Sequence, residues 1–494
     1  MSLSPHTKAP LMILPDDDFN RALLDNVHPA DWINPTPKGR YHLVIIGAGP
    51  AGLVTAAIGA ALGAKVALIE KHFMGGDCLN VGCVPSKALI AASRVGYDFP
   101  TAMARMQKLR ARISANDSAH RFKRLGVDLF FGEGRFTTAN TVLVDGNSLK
   151  FNKAAICTGA RAAKSTIPGL EDAGYLTNET LFTLTNLPPR MAVIGAGPIG
   201  CEMAQTFARF HSNVSLFVKG NQILPREDAD AAQILEGRMK KDGISLIFNS
   251  KITRVTAHGK EKVIHYTSDR KDHEQVVDEI LLGVGRAPNV EGLGLDKVNV
   301  QYDVETGVKI NDLLQTTNPN IFSAGDVCFP FQFTHTADAM AQILIQNALF
   351  PHPFGLGFAR ASSMVIPWCT YTSPEIAHVG IVEEGIETDT FTCSLADVDR
   401  AILDGEEEGF ARVHLAKGTD KILGATIVAE HAGEMISELT LAIKAGIGIA
   451  SIAGTIHPYP TQSEVIKKVA NEWKKSTFTQ QKKNILQKWF EFTR

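Results

Sequence analysis

The sequence LVIIGAGPAG at residues 43–52 decides the fold class of this chain. An apolar run leads into the spacing G-x-G-x-x-G, an alanine-rich stretch follows, and a second apolar run ends at Glu70, 21 residues beyond Gly49. Strand, glycine turn, helix, strand and acid in this order predict a dinucleotide-binding unit. In such a unit the carboxylate holds a ribose hydroxyl. The glycines, here Gly47, Gly49 and Gly52, let a pyrophosphate approach the start of the helix.

The same unit occurs again 148 residues later, as MAVIGAGPIG at residues 191–200. The glycines of this copy are Gly195, Gly197 and Gly200. The position that corresponds to Glu70 is Val218, and Lys219 follows it. An acid at this position would favour a free ribose 2′-hydroxyl, whereas a neighbouring cation suits a 2′-phosphate. The second unit is therefore predicted to bind NADPH in preference to NADH, with Arg226 as a further candidate contact.

Between the two units lies the sequence GGDCLNVGCVPSK, residues 75–87, with Cys78 and Cys83 five positions apart. The stretch leads into a helical run, and a helix start favours a thiolate. A cysteine pair that closes into a disulfide and reopens stores two electrons. A structural disulfide or half of a metal site is the alternative, but C-x4-C without a second Cys/His pair is poor zinc spacing. We predict a redox-active centre and no metal site.

The composition describes an ordinary globular protein of about three domains. The 494 residues are 45% hydrophobic and 21% charged, and the formal net charge of −2 gives no case for nucleic-acid binding. The seven cysteines are too few and too unevenly spaced for a secreted disulfide framework. No signal-like segment or apolar run of membrane-spanning length occurs, so a cytoplasmic protein without a transmembrane segment is expected.

Several other stretches divide the chain. Basic residues are frequent between 88 and 130, where helical spacing predicts a solvated face rather than an anion site. Residues 321–326 form a further strand that returns to the first sheet, and from about 361 the pattern becomes α+β. The tail 474–494 is basic and contains Trp489, Phe490 and Phe492. A docked or solvated terminal helix is the preferred interpretation of this tail, and binding to a membrane surface is the alternative.

Residues 41–473 closely resemble the pyridine nucleotide–disulfide oxidoreductases, flavoenzymes that include glutathione reductase, dihydrolipoamide dehydrogenase and mercuric reductase. The resemblance rests on both glycine motifs, on the C-x4-C-x3-K segment, and on three further motifs. These are Gly-Arg-x-Pro-Asn at 285–289, Ala-Gly-Asp at 324–326 and Pro-Thr-x-x-Glu at 460–464. The cysteine segment is most similar to the mercuric-reductase-like branch.

The resemblance implies an α/β fold with two Rossmann-like dinucleotide-binding domains and a C-terminal α+β dimerisation domain. The expected bounds are 1–40 for an N-terminal arm, 41–187 with 306–360 for the FAD-binding domain, 188–305 for the NAD(P)H-binding domain, 361–473 for the dimerisation domain and 474–494 for the basic tail. It further implies a homodimer whose active site includes the C-terminal segment of the partner subunit.

The resemblance also implies roles for single residues. Cys83 would lie against the flavin, Cys78 would be the outer interchange thiol, and Lys87 would lie beside flavin N5, paired with Glu202. Glu70 would hold the adenosine ribose and Asp326 would lie near the ribityl–pyrophosphate region. The further residues expected to bind the cofactors are Lys71, Gly76, Lys87, Thr158, Gly159, Gly285 and Arg286.

The C-terminal motif departs from the family pattern. Thiol-substrate members have a histidine five positions before the glutamate, and here that position is Tyr459, five before Glu464. A phenol with an ordinary pKa near 10 is a poor base at neutral pH. His457 lies two residues earlier and is a further candidate. Mercuric reductases also carry tyrosine in this region but use additional C-terminal cysteines, whereas the last cysteine here is Cys393.

The leading hypothesis is an oxidoreductase that passes electrons from NADPH through FAD and the Cys78–Cys83 pair to a disulfide, a metal ion or a quinone. The alternatives are a reductase of Hg(II) or another soft metal, and an enzyme similar to dihydrolipoamide dehydrogenase. A redox-responsive binding component is the non-enzymatic alternative.

Overall fold

A computed structural model describes residues 12–380 and 385–494 of the chain. It divides into two compact units. The first unit runs to Gly195 and includes Thr206–Val214 and Lys251–Met364. The second unit comprises Ala196–Gln205, Ser215–Ser250 and the chain from Val365 onward.

The N-terminal part of the chain forms seven strands and eight helices within its described residues. In chain order these are α1 (Asp18–Val27), β1 (Arg40–Ile46), α2 (Pro50–Ala61), β2 (Val66–Glu70), α3 (Gly76–Asn80), α4 (Cys83–Arg94), α5 (Phe99–Ser114), α6 (Ala119–Arg124), β3 (Asp128–Phe131), β4 (Arg135–Thr138), β5 (Thr141–Val144), β6 (Asn147–Ile156), β7 (Ala160–Ala162), α7 (Leu170–Ala173) and α8 (Asn178–Leu181).

The middle of the chain repeats the alternation of strands and helices. Its elements are β8 (Arg190–Ile194), α9 (Pro198–Arg209), β9 (Asn213–Phe217), α10 (Ala229–Lys241), β10 (Ser245–Ile247), β11 (Lys251–His258), β12 (Glu261–Ser268), β13 (Lys271–Val277), β14 (Glu279–Leu282), β15 (Arg286–Pro288), β16 (Tyr302–Asp303), β17 (Gly307–Val308), β18 (Ile321–Ser323) and α11 (Thr334–Leu349).

The C-terminal part contains β19 (Pro367–Thr370), β20 (Glu375–Gly380), β21 (Thr388–Ser394), α12 (Asp399–Asp404), β22 (Phe410–Ala416), β23 (Ile422–Ala429), α13 (Ala432–Ala445), α14 (Ile449–Gly454), α15 (Glu464–Ser476) and α16 (Gln480–Thr493).

The main sheet of the first unit has β1 at its centre, parallel to β2 on one side and to β6 on the other. β3 extends the sheet beyond β2, and β18 pairs with β6 in parallel. Residues 43–46 of β1 and 66–69 of β2 are continuous apolar runs and are buried, as expected for parallel strands covered on both faces. In the same unit β8 pairs in parallel with β14.

The second unit contains the parallel pair β9–β10 and an antiparallel sheet in the order β19-β20-β23-β22-β21. Apolar residues of this sheet share a core with residues of α13, α14 and α15. The α/β fold class with a C-terminal α+β part is confirmed. Among the helices that the structure describes, none is long and apolar enough to cross a membrane.

Part of the predicted N-terminal arm is integrated into the first unit. Residues 1–11 lie outside the described residues. In α1, Leu23 and Val27 are fully buried in the core of the unit. The side-chain amide of Asn34 donates to the Phe131 carbonyl (2.8 Å) and accepts from its N–H (2.8 Å). The described part of the arm therefore packs as an element of the unit.

Candidate active site

The first glycine motif forms the turn between β1 and α2. Gly47 has a φ of +105°, and a Cβ there would lie 2.3 Å from the Cys157 carbonyl oxygen, just beyond β6. A Cβ on Gly52 would lie 1.9 Å from the Gly47 carbonyl oxygen. Only glycine fits these two positions, because any side chain would collide with the backbone. The turn thus leaves main-chain N–H groups at a helix start, which suits a pyrophosphate.

The second motif repeats this arrangement. Gly195 has a φ of +109°, and its Cβ would lie 2.4 Å from the carbonyl oxygen of Gly283, just beyond β14. Gly197 precedes α9, and the buried Gly200 lies in its first turn. Both predicted motifs therefore have the backbone of a dinucleotide turn.

Glu70 lies at the end of β2 and is bound to the first motif. Its carboxylate accepts hydrogen bonds from the backbone N–H of Ala48 (2.8 Å) and of His72 (2.7 Å). Burial raises the pKa of Glu70, and the two N–H donors act in the opposite direction. Each carboxylate oxygen retains a second lone pair, so the group fits the predicted contact with a ribose hydroxyl. The neighbouring Lys71 is exposed.

The cysteine segment lies directly on the first glycine turn. The Gly75 N–H donates to the Ala48 carbonyl (2.9 Å). A Cβ on Gly76, which has a φ of +56°, would lie only 2.7 Å from the Cα of Gly49. The Asn80 side chain closes the turn by donating to the Gly76 carbonyl (2.9 Å). These backbone contacts bring the predicted redox segment against the predicted dinucleotide turn.

The two cysteines lie next to each other. Cys78 is in α3, and Cys83 is the first residue of α4, where free N–H groups and the helix dipole favour a thiolate. Both are in the reduced form, with Cys83 exposed and Cys78 half-buried. A hydrogen bond between the two thiols and burial raise the pKa of Cys78. The Cys83 Sγ also lies 3.5 Å from the Thr334 hydroxyl. Lys87 follows Cys83 by one turn of α4.

Arg286 connects the cysteine segment to a second predicted cofactor residue. Its guanidinium forms an ion pair with Asp77, the residue before Cys78, and its Nε lies 3.6 Å from a carboxylate oxygen of Asp326. Burial disfavours the charge of Arg286, but the two carboxylates raise its pKa above the ordinary value. Burial raises the pKa of Asp326, while Arg286 opposes this shift. Asp77 was not predicted as a site residue.

Two other predicted cofactor segments pair with each other. Strands β7 and β15 are antiparallel, with Arg286 opposite Ala162. The Thr158 hydroxyl donates to the Asn289 carbonyl (2.7 Å), and the Asn289 N–H donates to the Gly159 carbonyl (2.9 Å). Gly159 and Gly285 both have positive φ, with open space where a Cβ would lie. The structure therefore brings Thr158, Gly159, Gly285 and Arg286 together.

The prediction of a solvated basic face between 88 and 130 is wrong for Arg110. Its side chain is buried, and it donates to the Asn80 carbonyl (2.7 Å) and to the Asn20 side-chain oxygen (2.8 Å). Burial lowers the pKa of Arg110 to about 10. Arg110 thus links α1 to the end of α3. The periodicity of α5 alone gives no sign of this role, because the partners lie elsewhere in the chain.

The second unit holds Glu202 and Lys219. Glu202 is buried in α9, and its carboxylate accepts from the Tyr371 N–H (3.0 Å). Val218 is buried next to the end of β9, and Lys219 is exposed. The predicted pairing of Lys87 with Glu202 stays a prediction.

The C-terminal motif also lies in the second unit, before and at the start of α15. His457 Nε2 lies 3.1 Å from the Glu438 carboxylate, and the His457 side chain is almost fully buried. The exposed Tyr459 donates its hydroxyl proton to Asp399 (2.9 Å), which raises the pKa of the phenol. One carboxylate oxygen of Glu464 is buried and accepts no hydrogen bond from the part of the chain that the structure describes. Within this unit, His457 is therefore bound to Glu438 and Tyr459 to Asp399.

The chain is similar to known proteins over most of its length. The family model described as pyridine nucleotide-disulphide oxidoreductase matches residues 41–342, and that of the dimerisation domain matches residues 366–470. A mercuric reductase of Bacillus cereus is 33% identical over 449 residues, which cover 86% of this chain and 70% of the relative. A dihydrolipoyl dehydrogenase of Mycoplasma pneumoniae is 31% identical over a match that covers 87% of this chain and 98% of the relative. The solved structure of a Cu(II) complex of the HOCl-induced flavoprotein disulfide reductase RclA from Escherichia coli matches with a TM-score of 0.80 at 27% identity. The match covers 88% of this chain and 99% of RclA.

The close approach of Gly76 to Gly49 gives a test of the site. We expect Gly76→Ala to lower thermal stability and the amount of FAD retained per chain. The collision with Gly49 should cost about 1–3 kcal/mol in addition to the strain of a positive φ. Gly63→Ala is the matched control, because Gly63 also has a positive φ but open space around its Cβ position. Equal FAD retention and melting temperature in the two variants would contradict this account.

Proposed function

The chain belongs to the pyridine nucleotide–disulphide oxidoreductase family, and on this basis we propose that it is an NADPH-dependent reductase working through the Cys78–Cys83 pair. Members of this family are FAD-dependent enzymes that use NAD(P)H. The observation that carries the proposal is the backbone contact of the cysteine segment with the first glycine turn. It supports an electron path from a dinucleotide to the thiols without a further carrier.

The residues of the first unit fit FAD. Gly47 and Gly52 permit the tight turn into α2, whose first N–H groups suit a pyrophosphate, and Glu70 suits the adenosine ribose. The Nε of Arg286 is buried and makes no hydrogen bond within the described residues, although it lies 3.6 Å from the Asp326 carboxylate. Asp326, Thr158 and Gly159 lie on the connected segments. When bound, FAD supplies two-electron transfer between a nicotinamide nucleotide and a disulfide.

The cysteines supply the chemistry of the chain itself. Reduction breaks the Cys78–Cys83 bond and adds two electrons and two protons, which gives two thiols. A thiolate of the pair then attacks a substrate disulfide and releases one product thiol. Attack by the second cysteine on the mixed disulfide releases the other product thiol and restores the Cys78–Cys83 bond. The α4 helix start and the Thr334 hydroxyl stabilise the Cys83 thiolate in this cycle.

The second glycine motif and Lys219 support NADPH as the donor. The position that would hold an acid for the ribose is the buried Val218, and the exposed Lys219 beside it suits a 2′-phosphate. Arg226 is exposed in the same unit and is a second candidate contact.

The match to the dimerisation domain supports a homodimer. We propose that the segment from His457 to Glu464 completes the site of the partner subunit, with Lys87 and Glu202 paired near the flavin. The cytoplasmic location expected from the sequence stays a prediction.

Proton transfer to a thiol substrate is the weakest function of this site. Tyr459 donates to Asp399 and has a raised pKa, and His457 is bound to Glu438. The phenol of Tyr459 is therefore a poor general base near neutral pH, and the nearly buried side chain of His457 is directed to Glu438. A phenol at position 459 favours acceptors whose own reduction takes up no proton, such as a metal ion, over lipoamide or glutathione disulfide.

Reduction of Hg(II) or another soft metal ion is the second candidate. It is favoured by the similarity to relatives named mercuric reductase and by Tyr459. It is opposed by the absence of cysteines after Cys393 in this sequence. The relatives named above are enzymes, so an enzymatic role is proposed instead of a redox-responsive binding role.

A screen of acceptors tests the proposed function. With NADPH we expect at least one disulfide, Hg(II)–thiol complex or quinone to be reduced faster than about 1 s⁻¹. For disulfides and metal ions, Cys78→Ser and Cys83→Ser should each lower the rate by about a thousandfold or more, because the transfer is by thiols. Cys369→Ser, a half-buried cysteine of the second unit, is the control. The proposal fails if no acceptor supports NADPH oxidation or if all three variants equal the parent.

The nucleotide preference has its own test. We expect Lys219→Ala to lower the ratio of kcat/KM for NADPH to that for NADH by roughly tenfold, because a charge-assisted hydrogen bond to the 2′-phosphate is lost. Lys240→Ala, which removes an exposed lysine of α10, should leave the ratio unchanged. An unchanged ratio in the Lys219 variant would contradict the role of Lys219 and would mean that another residue binds the 2′-phosphate.

The proton-transfer argument predicts a gain of activity. Tyr459→His should raise turnover with oxidised lipoamide by at least about tenfold, because an imidazole within electrostatic reach of Glu464 can act as a general acid–base. The increase should follow a pH profile with an apparent pKa near that of histidine. His457→Gln should not produce it. Equal turnover of parent and Tyr459→His would contradict the role assigned to this position.

A further inference from the structure

The C-terminal helix α16 has an apolar face that the chain itself leaves exposed. No residue of α16 is buried. The apolar face consists of Ile485, Leu486, Trp489, Phe490 and Phe492, which are between 39% and 83% exposed. At 100° per residue these five side chains fall within an arc of about 160° on one side of the helix. The preceding Phe478 is also half exposed.

An α16 helix with this exposed apolar face would be stabilised by a surface that covers the face. A helix of 14 residues is marginal in water when nothing packs against it. By contrast, α15 is anchored, because Val465, Ile466, Val469 and Ala470 are buried in the core of the second unit. A short turn at 477–479 separates the two helices, and the Thr479 side chain caps α16. α16 is thus a separate element attached to a rigid support.

The charges on α16 identify the kind of surface. The helix and the final residue carry four basic residues and one acid, which are Lys482, Lys483, Lys488, Arg494 and Glu491. Lys483 and Lys488 lie on opposite edges of the apolar face, and Lys482 lies within its arc at the first turn of the helix. Lys474 and Lys475, in the last turn of α15, add to the positive charge. Three of the 14 helix residues are Trp or Phe, whereas aromatic residues make up 7% of the whole chain.

We propose that α16 binds the surface of an anionic phospholipid membrane. An apolar face with Trp, Phe and Leu, flanked by lysines and low in overall hydrophobicity, is typical of helices that lie in the plane of a lipid interface. The aromatic side chains would enter the headgroup boundary and the lysines would meet lipid phosphates. This differs from the preferred sequence-based interpretation, a docked or solvated helix, because the apolar side chains are exposed.

The other occupant to consider is a second copy of this chain. Pairing two α16 helices face to face would bring the lysine edges of both together, and like charges at such edges oppose association. An anionic lipid surface instead complements the charge of the helix and covers its apolar side chains in one contact.

Binding to vesicles tests the proposal with the full-length holoenzyme. We expect co-sedimentation with vesicles of equal parts phosphatidylglycerol and phosphatidylcholine, weakening as salt is raised, and little with phosphatidylcholine alone. The double variant Trp489→Ser/Phe490→Ser should reduce partitioning at least tenfold. Lys483→Gln/Lys488→Gln should reduce it about twenty-fivefold, at about fivefold for each charge. Gln487→Ser, on the polar side of α16, is the matched control.

Two results would overturn the proposal. The first is no binding to anionic vesicles at low salt, or equal binding by the parent and the Trp489/Phe490 variant. The second is a change from dimer to monomer in that variant, measured by sedimentation without lipid, combined with no vesicle binding by the parent. This second result would assign the apolar face to a second copy of the chain.

Discussion

The contact between Gly76 and Gly49 is the constraint on which the candidate site depends. A Cβ on Gly76 would lie 2.7 Å from the Gly49 Cα, so two backbones approach as closely as only glycine allows. The hydrogen bond from Gly75 to Ala48 fixes the same approach. Because of this contact, the cysteines and the dinucleotide turn belong to one packed unit. Electron transfer from a dinucleotide bound at this turn to the cysteines would then need no movement of separate elements.

The charged residues around this contact depend on it in turn. α3 begins at Gly76, so Asp77 lies in its first turn, where a carboxylate is favoured by the helix dipole. Arg286 meets this carboxylate and approaches Asp326, and so connects three segments of the first unit. Arg110 holds the other end of α3 through the Asn80 carbonyl and connects it to Asn20 of α1. The described part of the arm is therefore linked to the cysteine segment through Arg110.

The sequence predicted the parts of this site that are encoded locally. Each glycine turn, the acid at the end of β2 and the helix start at Cys83 can be recognised from a short stretch of neighbouring residues. The contacts of Arg286 and Arg110 could not be predicted this way, because their partners lie 209 and 90 residues away. Helical spacing correctly indicates exposed positions for Lys108 and Arg112 of α5, but it cannot tell that Arg110 faces a buried carbonyl. The same limit applies to Tyr459, whose partner Asp399 is 60 residues earlier.

The central claim is that NADPH reduces the Cys78–Cys83 pair, and counting alkylatable thiols tests it most directly. The air-oxidised holoenzyme is treated anaerobically with NADPH, alkylated, and digested, and the modified cysteines are identified by mass spectrometry. The account predicts two newly alkylated cysteines per chain, Cys78 and Cys83, and no new modification without NADPH. If NADPH leaves both cysteines unmodified, or labels other cysteines instead, the pair is not the electron store of this enzyme.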